Sequence, residues 1–147
     1  MKTMIVTARV VRENEQYSYK VVGKGEQYLV KGPDSMTTEQ ASAEVIKQIT
    51  PYAKEPVTIE QVRLVKNCDS FVSEEMPDGC DFTFYKLTFK YTLVTEEGRR
   101  SKVMQNVIVG DGTITDAIST SAKNIGCNSE FVTSAILTPI IDMYEVM

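Results

Sequence analysis

At 147 residues, with 24% charged and 42% apolar side chains and a net charge of −4, the chain has the composition of a folded domain, which excludes a disordered or low-complexity one. No apolar run approaches the ~20 residues that span a bilayer, and MKTMIVTARV reaches Arg9 too soon for a signal peptide, so an intracellular location is expected. With no histidine, Ser-His and Cys-His nucleophiles and histidine metal sites are excluded, and three cysteines without a CxxC pair read as free thiols rather than a disulfide framework.

In chain order, MIVTARVV alternates, with Val6, Ala8 and Val10 on one face and Thr7 and Arg9 on the other, which predicts a half-buried strand. A polar turn over Arg12 to Gln16 leads to a returning strand in which Tyr17, Tyr19 and Val21 share a side. The strand resumes as QYLV after GKG, and Gly23 and Gly25 mark a bulge or break. Thr37 and Gln40 are spaced as a capping box, and Ala41, Val45, Ile49 and Tyr52 then fall on one helical face, which Pro51 closes. VTIEQVRLV from Val57 supplies a further apolar strand.

The second half repeats this order. FTFYKLTFKYTLV places Tyr85, Leu87, Phe89, Tyr91 and Leu93 on one side and Phe84, Lys86, Thr88, Lys90 and Thr92 on the other, a strand with one wet face. After a turn at EEGRR, Val103, Val107 and Val109 complete the buried side. Thr113 caps a helix with Asp116 in its first turn, an apolar stripe of Ile114, Ile118, Ser121 or Ala122 and Ile125, and Gly126 as C-cap. FVTSAILTPIIDMY from Phe131 is the closing strand.

TTEQASAEVIKQIT from Thr37 lies over TITDAISTSAKNIG from Thr113 without a gap at an offset of 76, and Leu29-Val30 matches Ile108-Val109 at an offset of 79. The expected organisation is therefore an internal duplication. Residues 1–69 form a first ββαβ repeat, 70–81 an acidic linker, and 82–147 a second ββαβ repeat, in one compact domain overall. The expected fold class is α+β: antiparallel sheet or sheets with two helices packed on one face, the other face solvated, and a pseudo-twofold relation between repeats.

Charge gives the functional hint. The hairpins, residues 1–31 and 82–109, hold eleven Lys and Arg against five Glu, a net of +6 in a chain whose total is −4. Cations beside a ring are what holds single-stranded nucleic acid, so the candidate binding set is Arg9, Lys20, Phe84, Lys86, Lys90, Arg99, Arg100 and Lys102. Lysines that merely solvate an exposed sheet face produce the same pattern. Glu74, Glu75, Asp78 and Asp81 lack the ligand alternation of a calcium loop and read as a solvated linker. The GDGT stretch from Gly110 precedes a helix, but no P-loop lysine follows. No metal, cofactor or catalytic residue is expected.

Several segments together resemble a family of uncharacterised proteins: Tyr28 to Val30, Thr37 to Tyr52, FYKLTFKY, EEGRRSKVMQNVIV, and the closing TPI-x-D-x-Y pattern from Thr138 to Tyr144. These are proteins of about 140 to 160 residues encoded by gut Bacteroidetes and their phages and mobile elements. The resemblance spans nearly the whole chain and implies a phage or prophage origin, but it carries no site residues. The GKG near Gly23 and the long acidic linker depart from the family pattern. The resulting expectation is a non-catalytic phage accessory protein in the host cytoplasm that binds single-stranded DNA. The alternative is a structural or interaction protein, a virion component or host-factor binder, that forms homo-oligomers.

Overall fold

The computed structural model describes residues 1–14, 19–22, 25–73 and 83–147, with the backbone alone described for 13, 14 and 19–22. Gly23 and the acidic segment 74–81 lie outside these residues. Among the described residues the fold is α+β, with two four-stranded, mostly antiparallel sheets, a separate two-stranded one and two α-helices. It divides into two compact units, one of residues 1–66 and 139–147 and one of residues 67–138.

In the first unit β1 (Lys2–Arg9) runs antiparallel to both β4 (Glu26–Gly32) and β5 (Thr58–Val65). A short hairpin of β2 (Val11–Asn14) and β3 (Tyr19–Val22) lies between β1 and β4 in the chain. The break before β4 falls at Gly25, where a Cβ would come within 2.6 Å of Thr7 Cγ2. Helix α1 (Thr38–Ile49) begins in a full capping box: Gln40 N–H donates to Thr37 Oγ1 at 3.1 Å, and Thr37 N–H donates to Gln40 Oε1 at 2.9 Å. It buries Ala41, Val45 and Ile49 against Met4, Val6, Ala8, Tyr28 and Val30. Tyr52, expected on that stripe, is 69% exposed, because Pro51 turns the chain into a single 3-10 turn before the stripe can continue.

In the second unit β7 (Thr83–Val94) pairs antiparallel with β8 (Arg100–Asp111) and with β9 (Val132–Leu137). Helix α2 (Ile114–Ile125) is capped by Thr113, whose hydroxyl accepts from Asp116 N–H at 3.1 Å, and ends on Gly126 at φ 82°. Its buried positions are Ala117, Ser121 and Ala122, over Leu87, Phe89, Val107 and Val109. Ile114 is exposed, and Ile118 and Ile125 are half-buried.

Each sheet has a fourth strand that the sequence reading did not separate. β6 (Cys68–Val72), placed there partly in the linker, runs parallel to β8. β10 (Ile140–Glu145) is distinct from β9 and runs parallel to β4, although β9 belongs to the other unit. The sheet orders β10-β4-β1-β5 and β6-β8-β7-β9 are thus the same arrangement, each closed at one edge by a parallel strand. The register shift between Thr7 and Ala8 in one sheet recurs between Thr88 and Phe89 in the other.

One expectation needs correction. The sheet face away from the helix is not simply solvated: Ile5, Leu29, Phe84 and Ile108 are all buried on it. The runs Met4-Ile5-Val6, Tyr28-Leu29-Val30 and Val107-Ile108-Val109 are continuously apolar, the pattern of strands covered on both sides.

Candidate nucleic-acid interface

The β7–β8 hairpin is the longest ladder in the chain, twelve residues on each side. Pairing with β9 ends at Phe89 and pairing with β6 begins at Asn106, so the distal part beyond Lys90 and Met104 is a two-stranded ribbon. Its turn is closed by Thr95 N–H donating to the Arg99 carbonyl, by Gly98 N–H donating to the Thr95 carbonyl, and by Arg99 N–H donating to Thr95 Oγ1 at 3.1 Å. Alternation along a paired ladder sends Lys86, Lys90, and the Thr92 and Val94 partners Lys102 and Arg100, to one face. All four cations are exposed, and among the described residues none has a carboxylate within ion-pair distance. Thr88 Oγ1 donates to Asn106 Oδ1 at 2.8 Å between them, and Met104, 60% exposed, interrupts the charge.

The rest of the candidate set does not join this exposed cluster. Phe84 is fully buried, so no base can stack on it; its carbonyl accepts from both the amide and the hydroxyl of Thr138. Alternation puts Phe84 on the same side of the strand as the lysines, but near the start of β7 that side is covered and the ring is core. Arg99 sits in the turn, and Arg9 is exposed at the end of β1 in the other unit. Lys20 is on β3, its side chain outside the described residues. On the opposite face of the ribbon Tyr91 stacks on Phe131 with ring centroids 5.9 Å apart, and its hydroxyl donates to Gln105 Oε1 at 3.0 Å.

The first hairpin uses its charges structurally. Arg12 makes a bidentate pair with Glu26, Nε to Oε1 at 3.0 Å and Nη2 to Oε2 at 2.9 Å, while the Tyr28 hydroxyl donates to Glu26 Oε2 at 2.6 Å. Tyr28 in turn stacks on Tyr144 of β10 at 5.7 Å. Burial pushes the Glu26 carboxyl up, but hydrogen bonds from Arg12 and Tyr28 more than offset it and hold it below the ordinary range. Burial and the nearby Asp142 push the Tyr144 hydroxyl up to about 12. Lys2 Nζ donates to the Met36 carbonyl at 3.1 Å. Arg12 and Lys2 are two of the eleven hairpin cations, and the fold shows both occupied; an Arg and a Glu fourteen residues apart across a hairpin is the signal that the sequence offers for the first pair.

Among the described residues no group of His, Cys, Asp or Glu is placed to hold a metal, and no helix is long and apolar enough to cross a membrane. Cys68 and Cys127 are free, and burial raises both thiols. A groove of about 500 Å³ lies between the end of β6 and α2, with Phe71, Ser73, Thr120 and Lys123 in its lining.

The described residues thus combine an α+β scaffold with a projecting β-ribbon that carries exposed cations on one face. Residues 4–146 match the family described as Domain of unknown function (DUF4494), and the chain belongs to that family. No curated protein and no solved structure matches it.

Proposed function

We propose that this protein is a non-catalytic accessory protein of phage or mobile-element origin in gut Bacteroidetes, acting in the host cytoplasm, and that it holds single-stranded DNA along one face of the β7–β8 hairpin. The observation that carries the reading is the face itself: Lys86, Lys90, Arg100 and Lys102 are exposed together and unpaired among the described residues. Elsewhere, by contrast, Arg12 is neutralised within the fold. Phosphate neutralisation by such cations supplies most sequence-independent affinity. Exposed Met104 and Val94 between the charges give bases an apolar surface in place of the buried Phe84.

The matching sheet orders and register shifts support a duplicated module, now ββαββ, as the origin of the two units, and the pseudo-twofold relation belongs to that proposal. The second reading, an interaction protein that self-associates or binds a host or virion partner, draws on the exposed Leu93, Val94 and Met104 of the same ribbon.

Fluorescence anisotropy with labelled single-stranded and duplex oligonucleotides tests the first reading. Single-strand preference with affinity falling as salt rises is expected. Absence of binding at low salt sinks it, and a concentration-dependent oligomer by light scattering would then favour the second.

A further inference from the structure

The two units are alike enough that their differences can be read residue by residue. Val146 N–H donates to the Lys31 carbonyl in the first and Ser73 N–H to the Gly110 carbonyl in the second, so Ser73 stands where Val146 does and Asp111 where Gly32 does. The N-caps Thr37 and Thr113 likewise bring Ser121 onto Val45. In the first unit the space between edge strand and helix is plugged. Met36 is fully buried there, and at Gly32 a Cβ would lie 2.6 Å from its sulfur and 3.3 Å from Val146 Cβ.

In the second unit the connection from strand to helix is three residues shorter, and no counterpart of Met36 remains. The space is left as the groove between β6 and α2, and its surroundings have become polar: Ser73, Asp111 and Ser121 are all buried, where the other unit has Val146, Gly32 and Val45. Buried polar groups are retained against a cost, and the Ser121 hydroxyl is left without a partner among the described residues.

The lining sets the ligand chemistry. Asp111 accepts from Gly112 N–H at 2.7 Å and from the Thr120 hydroxyl at 3.0 Å, so the Thr120 proton is committed and its oxygen is left as an acceptor. Ser119 and Asn124 add donors and acceptors, Lys123 adds a cation, and no carboxylate appears among the described lining residues. Phe71 contributes an aromatic wall. A ring to stack, an amide to read a base edge and an ammonium for an anion, in about 500 Å³, are the requirements of one nucleotide.

We propose that this groove binds a nucleoside monophosphate, free or as the phosphorylated end of a strand, with its base against Phe71 and its phosphate at Lys123. The nucleotide class rests on the nucleic-acid reading above. The groove, however, lies on the helix side of the sheet, since Phe71 is level with Val109, whereas the lysines share the face of Ile108.

The test is a nitrogen–proton correlation NMR titration of the full chain with AMP, adenosine and a 5′-phosphorylated oligonucleotide. Shifts confined to Phe71–Ser73 and Ser119–Asn124 are expected, with adenosine binding to the parent, and AMP binding to the Lys123→Gln variant, each about tenfold more weakly than AMP binds to the parent. Competition by the 5′-phosphorylated strand, but not by its unphosphorylated form, identifies a strand end as the occupant; no competition identifies the free nucleotide. Lys123 and Asn124 are exposed, so their variants keep the fold. The inference is overturned if AMP leaves these residues unshifted, or if Lys123→Gln and Asn124→Ala both bind AMP as the parent does. Oligonucleotide binding at the lysine face with a silent groove removes this inference alone. AMP in the groove without oligonucleotide binding sustains it and removes the polynucleotide reading.

Discussion

Replacing Lys86 and Lys90 together by glutamine subtracts charge from the hairpin face without touching its core, since both side chains are exposed while their neighbours Leu87 and Phe89 are buried. If each of the four cations on the face neutralises one phosphate, the logarithm of affinity for a single strand should fall with the logarithm of salt with a slope of about −2.8, from roughly −0.7 per contact. Between about 50 and 200 mM salt the parent protein then loses about 50-fold in affinity. The double variant keeps two contacts, a slope of about −1.4 and a loss of about sevenfold over the same range. Anisotropy titrations at four or more salt concentrations measure both slopes. An unchanged slope in the variant refutes the assignment even if the protein binds DNA, because the phosphates would then be held elsewhere. A parent slope much steeper than about −3 would mean that the face does not act alone.

Phe84→Ala should destabilise the protein by about 3–5 kcal/mol in urea denaturation, as a fully buried ring does, whereas Phe84→Leu should leave oligonucleotide affinity unchanged. A selective loss of affinity in Phe84→Leu would return that ring to the binding surface. Glu26, with its carboxyl held below the ordinary range, contributes stability that is full above its unfolded value of about 4.3 and is lost as pH falls from there through the lower folded value. Glu26→Gln should therefore be less stable than the parent at neutral pH, with the gap closing over that acid window. A gap constant with pH would refute the Arg12 pairing. Ser121→Ala removes a buried hydroxyl without a partner among the described residues and favours the helix, so a gain of about 1 kcal/mol in thermal or urea unfolding is expected. A loss of that size would mean that the hydroxyl is bonded.

What could be read ahead of the structure was local. The capping box at Thr37 and Gln40, the cap pair of Thr113 and Asp116, and the left-handed Gly126 each depend on side chains within four residues, and each stands where spacing put it. Alternation likewise placed the lysines of β7 on one face. It misjudged Phe84 because a period of two says which residues share a face, not whether something covers that face. The hairpin charge count overstates the free surface charge at Arg12 for the related reason that a count does not see partners: Glu26 pairs with it.

The parallel edge strands were the hardest to see, because each lies far in sequence from its partner: β6 finds β8, and β10 returns to β4. A trace of them does exist in the chain. Asp69-Ser70-Phe71 and Asp142-Met143-Tyr144 occupy the same register, level with Val107 to Val109 and Tyr28 to Val30. Ser73 and Val146 donate inward, so alternation points the amides of Ser70 and Met143 away from the sheet. Each is taken by the carboxylate before it, Asp69 Oδ1 at 2.9 Å and Asp142 Oδ1 at 2.8 Å. An aspartate on an edge strand that takes up the outward amide of the next residue leaves less for another strand to pair with, which weighs against β-augmentation at these two edges. Ser70 is fully buried, so Asp69→Ala should cost about 1–2 kcal/mol in urea denaturation, while Asp69→Asn, whose amide oxygen still accepts, should cost much less. Equal losses in the two variants would show that the charge, not the bond to the edge amide, is what the aspartate supplies.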